Sequence, residues 1–256
     1  MKLATWNVNS IRSRLDRLLL WLREVRPDVL CLQELKCTDE KFPFDDIAEA
    51  GYYAAVHGQK TYNGVAILAR EELADIRVGL GDDIADDQAR LISACIGDIR
   101  VFSAYVPNGQ LVGSEKFAYK LAWLVRLRAM FERDYAPSES IVLAGDFNVA
   151  VTDKDVATPD AWADSVLCVP EVRKALEAVR RWGFVDVFAQ HHPDGGVYSW
   201  WDYRNLAFSR NEGLRLDYVY ATDVLAEKCI YAEVDRNERK GQKPSDHAPV
   251  VVQLED

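Results

Sequence analysis

The chain has 256 residues, of which 49% are hydrophobic and 28% charged, and its formal net charge is −10. This composition excludes a disordered, collagen-like or membrane-spanning protein, and the length allows a substantial core in one large domain or two small ones. The acidic balance argues against a protein that holds polyanions by overall charge, although local basic segments can still bind nucleic acid.

The cysteines and the N-terminus indicate where the protein works. The five cysteines are odd in number, widely spaced and never in a CxxC arrangement. We therefore expect neither a disulfide framework nor a zinc cluster, and a reducing cytoplasm fits best. The N-terminus has no apolar signal core, and the chain has no stretch of 18 uncharged residues, so we expect no targeting segment and no membrane partner.

The first half of the chain alternates predicted strands and helices. Residues 2–6 are predicted as a strand, and leucines at positions 15, 18, 19 and 22 predict a helix that stops at Pro27. An apolar run predicts a second strand, buried on both faces, over residues 28–34. Further strands are predicted over residues 64–68, 91–96 and 99–105, the last two as an antiparallel hairpin with a turn at 97–98.

The second half continues this alternation. Residues 114–136 are predicted as a helix that Ser114 caps, with Phe117, Leu121, Leu124 and Phe131 on one face. Strands are predicted over 141–145, 214–220 and 248–254, and a helix over 170–182 that begins at a proline and is closed by Gly183. Residues 153–169 and 191–212 are predicted as long loops, which are often functional. No linker or repeat interrupts the chain, so one mixed α/β domain over residues 1–256 is the simplest prediction.

Polar side chains follow the buried strands. Asn7 follows the first strand, Glu34 ends the second, and Asp146 and Asn148 follow the strand over 141–145. Ligands gather outside the carboxyl ends of strands in open α/β sheets, so these four side chains could converge on a cation. Carboxylate and amide oxygens suit Mg²⁺ or Mn²⁺ better than zinc. Taken alone, Asn7 is better explained as a turn residue and Glu34 as an exposed strand end. The segment 145–148 is more specific, because two oxygen-bearing side chains two residues apart after an apolar strand are more typical of a ligand loop than of a random turn.

Ser245, Asp246 and His247 precede the last predicted strand. A carboxylate could bind the metal, and an adjacent imidazole could hydrogen-bond or exchange a proton near neutral pH. The alternative is an Asp-His pair that only caps a turn. The other histidines, at positions 57, 191 and 192, are expected to lie in surface loops.

Taken together and in this order, these residues resemble a known superfamily. Asn7, Glu34, Tyr105, the segment 146–148, Asp217 and the pair 246–247 resemble the endonuclease/exonuclease/phosphatase superfamily. Within it, the exodeoxyribonuclease III family of DNA-repair nucleases is similar in the segments 6–12, 32–36, 62–66, 105–109, 199–204, 211–218 and 243–249. These segments span nearly the whole chain.

The resemblance implies a fold and a set of catalytic roles. The fold would be a four-layered α/β sandwich, with two mixed β-sheets packed face to face and flanked by helices. Glu34 would be the principal ligand of Mg²⁺, or Mn²⁺, with Asn7, Asp246, Asp146 and Asn148 close to the ion. Asp146 would also activate the attacking water, and Asn148 would orient that water or bind the phosphate.

The remaining catalytic roles concern the phosphate. By resemblance, Tyr105 would hydrogen-bond a phosphate oxygen and His247 would stabilise the pentacovalent phosphorus. Asp217 would hold that imidazole in place and favour its charged form. The implied reaction is metal-assisted hydrolysis of duplex DNA on the 5′ side of abasic sites, leaving a 3′-hydroxyl. Removal of blocked 3′ ends by 3′-phosphatase or 3′-phosphodiesterase activity and 3′-to-5′ exonuclease activity would accompany it.

The resemblance also implies DNA contacts. Trp200 and Leu214 would form an apolar pocket for the extruded abasic sugar, although one of the tryptophans at 200 and 201 is expected in the core. Arg204, Arg210 and Asn211 would contact phosphates or a groove. The basic run over 236–243, together with Arg215, is either a solvated face or a further contact with the duplex.

Two features depart from the family. Leu214 stands where several relatives carry tryptophan, and residues 160–169 have none of the basic side chains expected of a DNA-inserting loop. At Leu214, a stacking contact at the pocket wall would be lost or replaced by an aliphatic one. The loop puts the balance between endonuclease and exonuclease activity in question, rather than the chemistry.

Two alternatives compete with the nuclease. One is a phosphatase or phosphodiesterase of the same superfamily that acts on a substrate other than DNA. The other is a catalytically silent nucleic-acid-binding regulator. The preferred prediction is a monomeric, cytoplasmic enzyme that associates with the nucleoid when it acts.

Overall fold

Twelve strands and eight α-helices follow one another along residues 1–255, the part of the chain that the computed structural model describes. The strands are β1 (Lys2–Asn7), β2 (Val29–Gln33), β3 (Tyr53–His57), β4 (Val65–Ala69), β5 (Ala74–Val78), β6 (Leu91–Ile96), β7 (Ile99–Tyr105), β8 (Ile141–Asp146), β9 (Phe184–Asp186), β10 (Asp217–Thr222), β11 (Cys229–Val234) and β12 (Val250–Leu254). The helices are α1 (Ile11–Val25), α2 (Phe44–Glu49), α3 (Glu115–Asp134), α4 (Pro159–Trp162), α5 (Pro170–Arg180), α6 (Val187–His191), α7 (Ala207–Arg210) and α8 (Asp223–Ala226).

The strands form two six-stranded mixed sheets. The order of the first sheet is β11-β12-β1-β2-β4-β3, and that of the second is β5-β6-β7-β8-β10-β9. Each sheet contains one parallel pair, β1 with β2 and β7 with β8, while its other neighbours are antiparallel. A helix connects each parallel pair, α1 in the first sheet and α3 in the second, because parallel neighbours need a crossover.

The two parallel pairs determine where polar side chains collect. Neighbouring parallel strands end at the same edge of their sheet, so Asn7 at the end of β1 is paired in register with Gln33 at the end of β2. In the second sheet, Tyr105 at the end of β7 is paired with Asp146 at the end of β8. Each sheet therefore presents a pair of strand ends from which a functional site can be built.

The core lies in three layers. Aliphatic side chains of both sheets, among them Leu3, Val29, Ile92 and Val142, interdigitate between the sheets. The outer face of the first sheet is covered by α1 and α2, and that of the second by α3 and α5. This arrangement confirms the predicted four-layered α/β sandwich. Each fully buried large aliphatic or aromatic side chain contributes about 1.5–3 kcal/mol to stability.

A buried polar contact joins the two sheets near the site. The Gln33 amide donates to Ser103 Oγ over 3.1 Å, and the Ser103 hydroxyl donates to the Leu32 carbonyl, also over 3.1 Å. The partners on the first sheet and Ser103 on the second are completely buried. Because an unpaired buried polar group is costly, this contact disfavours sliding of one sheet over the other.

Most predicted elements are confirmed, with shifted ends. The 91–96 and 99–105 strands form the expected antiparallel hairpin, and the Ser114 hydroxyl caps α3 by accepting from Phe117 N over 3.2 Å. The strand predicted from residue 214 begins at Asp217, since residues 213–215 pair with segments outside the sheet, and the last strand begins at Val250 instead of residue 248. The two long loops contain the short helices α4 and α7 and a 3₁₀ turn over Asp153–Asp155.

Some predictions are wrong. Strands β3, β5, β9 and β11 and helices α2, α6 and α8 were not expected from the sequence pattern. His57 ends strand β3 and His191 ends helix α6, so neither lies in the predicted surface loop. His192 follows α6 and stacks on Phe188, with ring centroids 4.3 Å apart. Within residues 1–255, no helix has both the length and the apolar character needed to cross a bilayer.

The Gly145 position allows a test of how tightly β8 packs against β7. Gly145 has a φ of +153°, and a Cβ built on it would lie 1.9 Å from the Ala104 carbonyl oxygen. We expect Gly145→Ala to lower the free energy of unfolding by about 3 kcal/mol, because the backbone of β7 must shift. Urea unfolding followed by tryptophan fluorescence would measure the loss.

Gly97→Ala is the matched control. Gly97 also has a positive φ, +55°, but a Cβ added to it would meet no atom within 4 Å. We expect it to lose only about 1 kcal/mol from the left-handed backbone conformation. Equal losses in the two variants would show that the contact with Ala104 is not what requires glycine.

Candidate active site

An amide links two carboxylates that come from different sheets. Asn7 Nδ2 donates to Glu34 Oε1 and to Asp146 Oδ2, each over 2.9 Å. Glu34 directly follows β2 in the first sheet, and Asp146 ends β8 in the second. Asn7 and Asp146 are almost completely buried, so the bridge joins strand ends of the two packed sheets away from solvent.

The backbone around Asn7 sets the orientation of its amide. Asn7 Oδ1 accepts from Asn9 N over 3.0 Å, and Ser10 N donates to the Glu34 carbonyl over 2.7 Å. Asn9, Ser10 and Glu34 all have positive φ values, which are uncommon for residues other than glycine and are found at functional sites. Asn7 therefore presents its NH₂ group to the carboxylates, whereas the predicted role as a metal ligand would need its oxygen.

Asp146 is held rigidly in a buried position. Its Oδ1 accepts from Asn148 N over 2.9 Å, and its Oδ2 accepts from Asn7. Burial, followed by the negative charges of Asp217 and Glu34, raises the pKa of Asp146 to about 7, although the positive charge of His247 opposes this shift. A carboxylate whose pKa lies near neutrality is suited to accept a proton from water.

His247 lies between two carboxylates. Its Nδ1 donates to Asp217 Oδ2 over 2.7 Å, and its Nε2 lies 3.6 Å from Asp146 Oδ2. Burial alone would lower the pKa of His247, but Asp217 and Asp146 outweigh it and raise that pKa to about 10. The imidazole is therefore charged at neutral pH, and Nε2 carries a proton on the side of Asp146.

Tyr105 completes the contact of the second sheet with Glu34. The Tyr105 hydroxyl donates to Glu34 Oε1 over 3.0 Å. Burial, followed by the charges of Glu34 and Asp146, raises the pKa of Tyr105 well above its ordinary value, so the phenol stays protonated. The Arg90 guanidinium lies 4.9 Å from the centre of the Tyr105 ring and donates to the Tyr105 carbonyl over 3.1 Å.

A buried lysine holds the loop that carries Asn148. Lys120 Nζ donates to the carbonyls of Asn148, Val166 and Asn108 over 2.6, 2.7 and 3.1 Å. Burial lowers the pKa of Lys120 to about 7. Asn148 has a positive φ of +50°, and its side chain accepts from Asn108 Nδ2 over 3.0 Å. The lysine therefore ties three loops together behind Asp146.

Asp246 lies beside this cluster with partners of its own. Its Oδ1 accepts from Asn9 Nδ2 over 2.9 Å, and its Oδ2 accepts from Trp200 Nε1 over 3.0 Å. Burial alone would raise the pKa of Asp246, but the charge of His247 and the hydrogen bonds from Trp200 and Asn9 lower it below its ordinary value. Asp246 is thus held as an anion.

The donor set fits a hard divalent cation. One carboxylate oxygen each of Glu34 and Asp146 and one ring nitrogen of His247 lie within 4.8 Å of one another. Because the charged imidazole has no free lone pair, the two carboxylates are the groups that could bind a cation. Asp217 and Asp246 add two further carboxylates, while His247, Lys36 and, behind Asp146, Lys120 lie beside these groups. Carboxylate oxygens suit Mg²⁺ or Mn²⁺.

The residues predicted to contact DNA differ in how far they are exposed to solvent. Arg204 pairs with Asp202 over 2.7 Å and Arg210 pairs with Glu212 over 2.5 Å, both at the surface. Asn211 Oδ1 accepts from Trp201 Nε1 over 3.4 Å. Trp201 is fully buried and Trp200 only partly, which confirms that one of the two belongs to the core.

Leu214 and two arginines lie elsewhere than expected. Leu214 is fully buried in the core, so its side chain presents no surface to a ligand in this structure. Arg215 is buried between Asp155 and Asp186, over 2.6 and 2.8 Å, and belongs to no solvated face. Within the basic run over 236–243, Arg239 is also buried and donates to the carbonyl of Ser245 over 2.6 Å. Arg215 and Arg239 therefore hold loop segments together through buried contacts and do not contribute to a basic surface.

Several residues of the site were missed from the sequence. Lys36 Nζ donates to Glu34 Oε2 over 2.8 Å and to Asn9 Oδ1 over 2.6 Å. Lys36 lies in the matched segment 32–36 but was given no role, and Arg90 carried no signal in its local pattern. Lys120 did carry one, because it lies three residues after Phe117 and four before Leu124 on the apolar face of α3. A lysine at a core position of a helix indicates a specific buried partner.

Known proteins resemble this chain over its whole length. The Endonuclease/Exonuclease/phosphatase family matches residues 4–247. Exodeoxyribonuclease III of Haemophilus influenzae is 34% identical, covering 99% of this chain and 100% of its own. Among solved structures, an AP endonuclease from Archaeoglobus fulgidus has a TM-score of 0.97 at 41% identity, and the 3′ phosphatase NExo from Neisseria, bound to product DNA hairpin, has 0.96 at 36%. Both cover 100% of each chain.

The charge on His247 can be tested through Asp217. We expect Asp217→Asn to lower the pKa of His247 below about 10, because the variant removes the strongest carboxylate partner of the imidazole. An NMR titration of the imidazole would measure the change, with Asp98→Asn in the exposed β6–β7 turn as the control.

The same shift affects stability. The folded protein holds the His247 proton more tightly than the unfolded chain, whose pKa is near 6.5. Its contribution to the free energy of unfolding is therefore complete below pH 6.5 and is lost as the pH rises towards 10. An unchanged His247 pKa in Asp217→Asn would contradict the assignment of its charged state.

Proposed function

The chain belongs to the Endonuclease/Exonuclease/phosphatase family and is a nuclease of the exodeoxyribonuclease III type, and we propose that it hydrolyses duplex DNA on the 5′ side of abasic sites. Removal of 3′-phosphates and 3′-to-5′ degradation belong to the same proposal. The observation that carries it is the array of Asp217, His247 and Asp146 beside Glu34, because this array separates one proton acceptor from one proton-bearing cation.

Asp146 acts as the general base in this proposal. With a pKa of about 7, its carboxylate accepts a proton from the attacking water while Asn148 orients that water. The new bond forms between the water oxygen and phosphorus, and the bond from phosphorus to the upstream 3′ oxygen breaks. That oxygen leaves as an oxyanion and takes a proton from solvent to give the 3′-hydroxyl, while Asp146 later returns its proton to solvent. The Asn7 amide and Asn148 N fix the direction of the carboxylate before the substrate arrives.

His247 and Tyr105 bind the phosphate. The charged imidazole carries its free proton at Nε2, where it neutralises negative charge that develops on the phosphoryl oxygens. Asp217 maintains the charge and the ring orientation of His247, so it positions the imidazole and touches no substrate. Tyr105 remains protonated and can turn its hydroxyl from Glu34 to a phosphate oxygen.

The metal would be held mainly by Glu34. Asp146, Asn148 and Asp246 would contribute oxygens directly or through water, whereas Asn7 would act by orienting Glu34 and Asp146. Bound there, Mg²⁺ or Mn²⁺ would polarise the phosphodiester and stabilise the leaving oxyanion. The ion pair between Lys36 Nζ and Glu34 Oε2 balances part of the charge of Glu34.

Duplex DNA is the proposed partner, bound by a monomer. Trp200 lies beside Asp246, and the exposed guanidinium groups of Arg204 and Arg210 can exchange their carboxylate partners for phosphates, since surface ion pairs are weak. Asn211 directly follows Arg210, and its side-chain oxygen accepts a hydrogen bond from Trp201. A silent regulator is not favoured, because each catalytic group retains the chemistry that it needs.

A second candidate is an enzyme that processes only 3′ ends. Residues 155–172 contain no lysine or arginine that could grip an unbroken strand, and one similar structure is that of a 3′ phosphatase. Both observations favour this alternative over a phosphatase acting on a substrate other than DNA.

Cleavage of a labelled duplex with one internal tetrahydrofuran abasic analogue tests the main proposal. We expect incision immediately 5′ to the analogue with Mg²⁺ and none with EDTA, and end-group analysis should identify a 3′-hydroxyl. No incision, together with removal of a 3′-phosphate from a nicked duplex, would favour the end-processing enzyme.

Asp146→Asn tests the general base. We expect kcat to fall about a thousandfold, since the amide cannot accept the proton, with little change in DNA affinity. Asp98→Asn, which removes an exposed carboxylate far from the site, should leave kcat unchanged. A rate for Asp146→Asn within tenfold of the parent protein would mean that another group activates the water.

A further inference from the structure

A second tryptophan meets Trp200 next to the catalytic groups. Trp162, at the end of helix α4, packs against Trp200 with ring centroids 5.7 Å apart and ring planes at 87°. Both indoles are only partly buried. Two perpendicular rings form two walls of a corner, and the Trp200 wall is bonded through Nε1 to Asp246.

Leu214 cannot supply the second wall of this corner. It pairs with Trp200 through two main-chain hydrogen bonds of 2.9 Å, but its side chain is fully buried in the core under α3 and α5. The two aromatic side chains that form this corner are therefore Trp200, which bonds Asp246, and Trp162 from the 153–169 loop.

Buried contacts fix the 153–169 loop both before and after Trp162 in the sequence. Before it, Asp155 is paired with buried Arg215, and Ala157 N donates to the Gly213 carbonyl over 3.0 Å. After it, Lys120 binds the Val166 carbonyl, and Ala150 N donates to the Leu167 carbonyl over 2.8 Å. The indole is thus positioned by buried contacts before any ligand binds, which reduces the entropy lost on binding.

The chemistry of this loop around Trp162 disfavours a phosphate contact. Its one basic residue, Lys154, lies at the start of the loop and donates to the Pro193 carbonyl over 2.8 Å. Residues 155–172 carry no lysine or arginine, and the exposed side chains of Asp160 and Asp164 would repel phosphates. Trp162 is the large apolar side chain of this loop that remains partly exposed, whereas Val166, Leu167 and Val169 are buried. Close to Trp162, the side chain of this loop that is suited to a contact with DNA is therefore the apolar indole.

We propose that Trp162 is a specificity-determining residue that, with Trp200, forms an indole corner that binds the baseless sugar of an abasic nucleotide. This inference rests on the proposed function, because it names the part of the substrate that the same site selects. A deoxyribose without a base presents a small, largely apolar face, which the two rings cover without a polar partner for a base. Trp162 takes no part in the chemical step.

Equilibrium binding tests the corner without relying on turnover. In the Asp146→Asn background, dissociation constants are measured for a duplex with one tetrahydrofuran analogue and for the undamaged duplex of the same sequence. We expect Trp162→Ala to reduce the preference for the analogue about tenfold, and Trp162→Phe to retain most of it. Tyr231→Ala, which removes an exposed ring on the distant strand β11, should leave the preference unchanged.

Incision kinetics with native Asp146 provide the second readout. Trp162→Ala should raise KM for the tetrahydrofuran duplex about tenfold, leaving kcat and the removal of a 3′-phosphate within threefold of the parent protein. Circular dichroism and the thermal midpoint would establish that the variant is folded.

The outcomes separate the two proposals. An unchanged or increased preference in Trp162→Ala would overturn the inference, an increase meaning that the indole obstructs the sugar. If the parent protein fails to incise the analogue, the proposed function fails, and the binding measurements still decide the role of Trp162. A parent protein with no preference for the analogue would overturn the inference by itself.

Discussion

The amide bridge of Asn7 is the contact on which the site depends, because it joins two carboxylates that belong to different sheets. Glu34 and Asp146 would repel each other in a buried environment, and the Asn7 NH₂ group offsets part of that repulsion by donating to both. The bridge can form only if the two sheets, packed face to face, hold the ends of β1 and β8 side by side with little freedom to slide. The inter-sheet contact between Gln33 and Ser103 and the shared aliphatic core provide that constraint.

Burial gives chemically similar side chains different roles. Asp146 and Asp217 are both carboxylates at the ends of paired strands, in register across β8 and β10. Asp217 accepts the Nδ1 proton of His247, so its charge is paired, whereas Asp146 has its pKa raised to neutrality by burial and by its negative neighbours. One group can therefore receive a proton while the imidazole retains its own. The lysine behind them, Lys120, preserves this arrangement by tying the Asn148 loop to the rest of the second sheet.

The main strands were predictable because they are buried on both faces and read as continuous apolar runs. β2, β7 and β8 are of this kind, and their polar ends could be placed at one edge by the general behaviour of parallel strands. The missed strands are of the opposite kind. β5 is exposed at every residue, and β11 has only Ala232 buried, so neither shows the apolar pattern on which the prediction relies. Their existence follows from hydrogen bonding to a neighbour that lies far away in the sequence.

By itself, the sequence identified the polar side chains that the structure brings together, since they follow buried strands or lie in segments that resemble a nuclease family. The tertiary structure alone decided how those side chains are used. It turned the NH₂ of Asn7 towards the carboxylates, buried Leu214 in the core and placed Trp162 against Trp200. The physical reason is that orientation, burial and charge depend on partners that are distant along the chain, whereas the sequence pattern reports only neighbours within a few residues.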